Sequence, residues 1–191
     1  MKILVLGHTG FVGETLYNKL KKDGYDVVGC SRSSGVDILD YNQIHSQIKD
    51  IKPNVIYNLA SHVQMSLNLY KAVKDVDPNI KIIQPFSNCS YPGHTFIQSE
   101  DMWLNGPVHP SIFSFGNSKR SIYYLSECYH KQYGIKTVNL LLPNTYGPGD
   151  SEDPNKTHAL NGMIIRMLKA KKSGDKEFVV WGTGNPVREW A

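Results

Sequence analysis

The chain has 191 residues, 40% hydrophobic and 20% charged, enough for one soluble globular domain with a sizeable core. Its 21 basic and 17 acidic residues leave a net charge of +4, concentrated only in the short run 169–172; that suits an anionic ligand and, with no basic stripe or motif, argues against nucleic acid. Three cysteines, widely spaced and odd in number, lack metal-ligand spacing, the apolar start is too short for a signal segment, and no run approaches about 18 apolar residues, so a reduced, cytoplasmic, non-membrane protein without metal is expected.

Short β-branched runs alternate with longer stretches of helical period, the pattern of βαβ units around a parallel sheet. In chain order the sequence predicts a strand over 2–6, a helix over 12–22, a strand over 26–30, a helix over 41–49, a strand over 55–59 and a helix over 65–76. A strand over 81–85, a helix over 118–133, a strand over 136–141, a helix over 160–171 and a last strand over 178–181 follow. Gly24, Gly134 and Gly174 come just after three of the helices, where a left-handed terminal residue is cheap for glycine. The fold class is therefore α/β, a doubly wound parallel sheet of Rossmann type over 1–145. Residues 146–191 begin a small C-terminal substrate-binding region interleaved with that sheet. The long loops 87–113 and 143–157 follow strand ends, where open α/β sheets bind ligands.

Behind the first strand stands Gly7-His8-Thr9-Gly10-Phe11-Val12-Gly13, a G-x-x-G-x-x-G turn opening directly into a helix. Such a turn lets the backbone approach a pyrophosphate closely while the helix start offers free N–H groups and a positive dipole end. The second strand ends in Cys30-Ser31-Arg32-Ser33, where a site for NAD usually offers a carboxylate to the ribose. Arg32 between two serines suits a 2′-phosphate instead, so NADP(H) is the expected cofactor, with NAD(H) as the alternative. Asp37 and Ile38 are placed to hold the adenine. Leu59 and Ala60, within Asn58-Leu59-Ala60-Ser61, would form the opposite wall.

Together these pieces resemble the extended short-chain dehydrogenase/reductase family, which adds a catalytic Ser or Thr and a Y-x-x-x-K pair. The resemblance implies that a tyrosine hydroxyl moves a proton, a lysine lowers its pKa and binds the nicotinamide ribose, and a serine bonds the reacting oxygen. Tyr17/Lys21 and Tyr70/Lys74 fit the spacing but lie on helices flanking the sheet, and are chance matches. The position with the right context is Phe115-Gly116-Asn117-Ser118-Lys119, 28 residues after Ser87, and it carries Lys119 but phenylalanine in place of tyrosine. A phenyl ring has no proton to give, so the redox step should lose roughly 10²–10⁴-fold. A Tyr→Phe substitution made to trap a complex, a pseudoenzyme, and a family in which another group takes over all fit; the first is preferred because the surroundings still match a catalytic site.

Within that family, Ser87-Asn88-Cys89-Ser90-Tyr91-Pro92-Gly93 is similar to the S-S-C-x-Y-P segment of the GDP-L-fucose synthase type of epimerase–reductase. The similarity extends to Tyr146-Gly147-Pro148-Gly149-Asp150, to the helix with His158 and Arg166, and to Val180-Trp181-Gly182-Thr183-Gly184 with Arg188-Glu189. It implies that Cys89 and His158 act as acid and base in 3,5-epimerisation of a GDP-4-keto-6-deoxy sugar, before 4-reduction. It implies further that Ser87, Asn144, His158, Arg166, Trp181 and Arg188 face the substrate. A buried small Cys89 and a surface His158 at a helix start are the plainer alternatives. Cys30 and Cys128 are expected to be packing residues.

Two departures stand out. Ser61-His62-Val63 runs straight into Gln64-Met65-Ser66, where the family places a substrate-facing loop and the first turns of a long helix, and the chain stops at Ala191 with only part of the substrate domain. The resemblance also implies a homodimer through the helices over 65–76 and 118–133, the first of which is short here. A nucleotide-sugar enzyme leads among function classes, with a simple C4-reductase, C4-dehydrogenase or 4-epimerase as its variant. A dinucleotide-binding module without chemistry follows, and a nucleic-acid binder comes last.

Overall fold

The computed structural model describes all residues except 61, 94–97, 154–155, 186 and 188–189. The chain divides into two compact units, Met1–Leu142 and Pro143–Ala191. The first holds a parallel sheet of β1 (Lys2–Leu6), β2 (Asp26–Cys30), β3 (Val55–Asn58), β4 (Lys81–Ser87) and β5 (Thr137–Leu142). The helices between them are α1 (Phe11–Lys22), α2 (Tyr41–Ile51), α3 (Val63–Val76) and α4 (Phe113–Tyr133).

Strand order is β2-β1-β3-β4-β5. The chain leaves β1 for β2 on one side and returns to β3 on the other, so the direction of winding reverses between β1 and β3. The helices that follow them, α1 and α3, pack on opposite faces of the sheet, and ligands of open α/β sheets bind in the crevice this leaves at the carboxyl ends. Leu59 N–H still reaches back to Leu6 O (3.0 Å), holding the end of β3 against β1.

The strand period of two explains the layering. Ile3 and Val5 pack with Leu16, Tyr17 and Leu20 of α1, whereas Leu4 and Leu6 face Ile44 and Ile48 of α2 and Leu69 and Val73 of α3. Both faces of β1 are thus covered, as a central parallel strand requires. A third cluster joins Phe86 of β4, Trp103 and Ile122 of α4. A polar ladder also crosses the sheet interior: buried Asn58 donates to Gln84 Oε1 (3.4 Å), Gln84 to Asn139 Oδ1 (3.0 Å), and Asn139 to Ser126 Oγ (3.2 Å).

Helix ends follow local chemistry. Asp40 caps α2 through the N–H groups of Asn42 (2.8 Å) and Gln43 (3.3 Å). Gly24, Gly134 and Gly174 all take positive φ behind their helices, as the sequence led one to expect. The fourth helix starts at Phe113, not near Ser118, because the 3-10 turn Pro110–Ile112, capped by the His109 side chain, feeds it directly. Cys30 is buried, with burial pushing its thiol pKa up, but Cys128 is no packing residue. It lies two positions past buried Ser126, on the opposite side of α4, and is exposed.

The second unit contains α5 (Ala159–Ser173) and extended segments, tied by a bridge between Asn144 and Trp190. The strand expected over 178–181 does not form. That run has a β-branched composition but no ladder partner among the described residues, and Val179 and Trp181 are exposed. Strand preference reflects packing on a neighbouring strand more than any intrinsic backbone preference, so the run stays irregular. No described helix is long and apolar enough to cross a membrane.

Candidate cofactor and sugar site

The turn after β1 is built by its glycines. Gly7 adopts φ +80°, donates its N–H to Cys30 O (2.8 Å) and accepts from Gly10 N–H (3.0 Å). A Cβ on Gly13 would collide with the Gly7 carbonyl oxygen, so only glycine lets α1 sit this close to the turn. The N–H groups of Phe11, Val12 and Gly13 precede the first intrahelical bond, from Glu14 N–H to Gly10 O (2.8 Å), and form the electropositive end of the helix.

One cavity of about 570 Å³ lies over this turn, lined by Gly7, Thr9, Gly10, Arg32, Asp37, Ile38, Leu59, Ala60, Phe115 and Lys119. Ten positions singled out from sequence therefore meet in one place, drawn from the ends of three strands and the first turns of α4. Ser31, Ser33, Val36, His62 and Met65 line it as well. Val36, His62 and Met65 were not singled out; their only sequence signal is their place just after a strand end or at the start of α3.

At the Arg32 end, the 3-10 turn Arg32–Ser34 brings hydroxyls together: Ser31 Oγ lies 2.8 Å from Ser33 Oγ, which donates to Thr9 Oγ1 (3.2 Å). Hydroxyl and guanidinium donors beside a helix start fit a phosphate on the ribose as well as the pyrophosphate. Asp37 Oδ1 accepts from Leu39 N–H (2.9 Å), which fixes the carboxylate at the cavity wall.

At the other end, Phe115 and Lys119 stand one helical turn apart, with the Lys119 ammonium 5.6 Å from the phenyl centroid. Burial holds the Lys119 pKa below the ordinary lysine value. Phe115 is 47% exposed, a large apolar ring that opens onto the cavity. By contrast Tyr70 is fully buried, its hydroxyl 3.0 Å from Thr137 Oγ1 and its pKa pushed up to about 12 by burial, so it is unsuited to proton transfer.

Ser87 ends β4 and accepts from Cys89 N–H (3.2 Å). A Cβ on Gly116 would come within 2.5 Å of the Cys89 carbonyl oxygen, so the missing side chain beside Phe115 allows the Ser87–Cys89 segment to abut the first turns of α4. Arg120 locks that contact: it donates to the carbonyls of Ser90 (2.7 Å), Gly106 (2.6 Å) and Trp103 (3.0 Å). Neither Ser87 nor Cys89 lines the cofactor-sized cavity itself.

In the second unit, His158, Arg166 and Trp181 share a separate cavity of about 260 Å³. The Arg166 guanidinium lies 3.8 Å from the Trp181 ring centroid and 5.2 Å from that of Phe178, and donates to Val179 O (2.8 Å). Arg188 lies outside the described residues, and no group of His, Cys, Asp and Glu suited to a metal occurs among the described ones.

The description of the NAD dependent epimerase/dehydratase family matches residues 3–191. The chain belongs to that family. Among curated relatives, GDP-L-fucose synthase of Dictyostelium discoideum is 28% identical over 98% of this chain and 65% of its own length. A probable GDP-L-fucose synthase of Drosophila melanogaster is 29% identical over 99% of this chain and 67% of its own. This chain thus spans about two thirds of the relatives it matches. A crystal structure of a GDP-L-fucose synthetase from Naegleria fowleri bound to NADP superposes with a TM-score of 0.87 at 24% identity, covering 99% of this chain and 64% of that one, which establishes the shared fold.

Proposed function

We propose that this chain is the cofactor-binding part, with the beginning of the substrate region over 146–191, of an NADP(H)-dependent epimerase–reductase of a GDP-4-keto-6-deoxy sugar. Its redox step is impaired by Phe115. The observation that carries the reading is the single cavity that joins the Gly7–Gly10 turn, Arg32 and its serines, the Leu59–Ala60 wall and Lys119. When bound, NADP(H) would supply hydride chemistry. The chain's own residues hold the pyrophosphate on the α1 start, the 2′-phosphate on Arg32 with Ser31 and Ser33, and the nicotinamide ribose on Lys119.

The relatives' names support a GDP-sugar as substrate. Cys89 and His158 serve as acid and base for exchange at C3 and C5, beside a keto group that acidifies those protons, and Ser87 bonds the keto oxygen. Asn144, Arg166, Trp181 and Arg188 hold the nucleotide sugar, arginine being apt for a diphosphate because its planar fork binds bidentately. The protein is cytoplasmic and pairs through α3 and α4. Phe115 also favours a second reading, a module that binds the dinucleotide without turning it over.

The test is a fluorescence titration with NADPH and NADH, followed by Phe115→Tyr in the full-length protein. NADPH should bind more tightly, and Arg32→Ala should erase most of that preference, since a charge-assisted phosphate contact is worth about 1.5–3 kcal/mol. The tyrosine should restore reduction by roughly 10²–10⁴-fold. Binding without turnover after the reversion would favour the module.

A further inference from the structure

We infer that Asp150 is a positioning residue for His158, accepting a hydrogen bond from the Nδ1–H of the imidazole so that Nε2 becomes the proton-exchanging atom. The inference rests on the reading of His158 as an acid–base group and specifies how the fold sets it up.

The motif Tyr146-Gly147-Pro148-Gly149-Asp150 has no role in cofactor or sugar binding as described so far. Its geometry supplies one. Gly147 and Gly149 take φ of +145° and +92°, values that side chains rarely tolerate, so the two glycines allow the turn that delivers Asp150 to the start of α5. The carboxylate arrives with its side chain only 5% exposed. One of its oxygens accepts from Ser151 N–H (2.8 Å), and His158 Nδ1 lies 3.2 Å from Oδ2 and 3.4 Å from Oδ1.

An ionised carboxylate can only accept, so the imidazole nitrogen facing it must carry a proton. In the neutral ring the lone pair is then on Nε2, which is the arrangement a base needs. An imidazole in water prefers the opposite tautomer, with the proton on Nε2, and would have to shift it before acting. Carboxylates paired with catalytic histidines elsewhere work through this choice of tautomer. The ring lines the 260 Å³ cavity together with Arg166 and Trp181, so it is open to a ligand there. The other charged groups lining the same cavity are Glu152, Arg166 and Lys169, one acidic and two basic.

The test is nitrogen NMR of the histidine side chains in the 191-residue chain, with the His158 signal among the seven histidines assigned by its loss in His158→Asn. At alkaline pH, wild-type His158 should show a protonated Nδ1 and an unprotonated Nε2. Asp150→Ala should reverse this; if it does not fold, the isosteric Asp150→Asn serves, because Ser151 N–H holds the amide oxygen and the amide NH2 then donates to Nδ1, forcing the same reversal. A wild-type ring protonated on Nε2, or the same tautomer in wild type and variant, overturns the inference.

A second readout, in the full-length protein, separates the two ideas: solvent deuterium exchange into C3 and C5 of GDP-4-keto-6-deoxymannose. Asp150→Asn should slow exchange roughly 10²–10⁴-fold with little change in KM, whereas His158→Asn should abolish it. Exchange that survives in His158→Asn removes the acid–base reading of His158, whatever the tautomer. Exchange abolished in His158→Asn but unchanged in Asp150→Asn removes the positioning role alone.

Discussion

Replacing Gly13 by alanine adds one methyl group where the structure has no room. The new Cβ would collide with the Gly7 carbonyl oxygen and come within 2.9 Å of Gly7 C and 3.0 Å of His8 Cα, all backbone atoms. Gly7 cannot yield freely, because its N–H is bonded to Cys30 O (2.8 Å) and its carbonyl accepts from Gly10 N–H (3.0 Å). The strain is relieved only by lifting α1 from the turn, and overpacking of this kind costs about 1–3 kcal/mol. In a chain of this size that is a Tm lower by about 2–12 °C. Because the same shift displaces the N–H groups proposed to hold the pyrophosphate, NADPH affinity should fall at least about tenfold, or about 1.4 kcal/mol. Gly10→Ala is the control: Gly10 sits at φ −83°, its Cβ would meet Gly7 O at 3.4 Å, and the lost helix cap costs only about 0.5–1 kcal/mol. Thermal denaturation of both variants decides the matter, with NADPH titration of Gly13→Ala beside it. Equal losses of Tm in the two variants would refute the argument that Gly13 is required for close approach.

Lys119→Met should raise Tm at pH 7 while weakening NADPH binding. Burial lowers the folded-state pKa of Lys119, so between that value and the ordinary lysine value of about 10.4 the unfolded chain holds more protons and stability rises with pH. The variant's advantage should therefore be full below the lowered pKa and shrink as pH climbs to about 10; a variant less stable at pH 7 contradicts this. Arg120→Ala removes the donor to three carbonyls and should cost at least about 1.5–3 kcal/mol, read as a lower Tm and faster hydrogen exchange around Ser90 and across residues 103–106. Arg120→Lys should not rescue it, since an ammonium lacks the planar fork. Tyr70→Phe should cost about 1–3 kcal/mol by leaving the Thr137 hydroxyl without its partner, yet leave NADPH affinity unchanged. A changed affinity would restore Tyr70 and Lys74 as candidates.

The cavity proposed for the cofactor was legible because its lining residues stand close together in sequence. A glycine turn between a strand and a helix, and Arg32 at the next strand end, announce themselves by spacing, and the cavity joins them. Phe115 and Lys119 were legible for the same reason, one turn apart on a helix. What escaped depends on partners far away in the chain. Nothing local marks Arg120 as the donor to carbonyls of Ser90, Trp103 and Gly106, nor Asn58, Gln84, Asn139 and Ser126 as a ladder through the sheet. Asp150 and His158 were both noted, but their pairing needed the glycine turn between them to be folded. The run 178–181 shows the converse: its composition favours a strand, and with no neighbour to pair with among the described residues it forms none.

The proposed separation of two chemistries by Phe115 is tested most directly in the full-length protein with NADPH bound and GDP-4-keto-6-deoxymannose in deuterated water. Deuterium should enter C3 and C5 while reduction at C4 remains roughly 10²–10⁴-fold below that of Phe115→Tyr. Reduction as fast with phenylalanine as with tyrosine, or no exchange at either carbon, would contradict it.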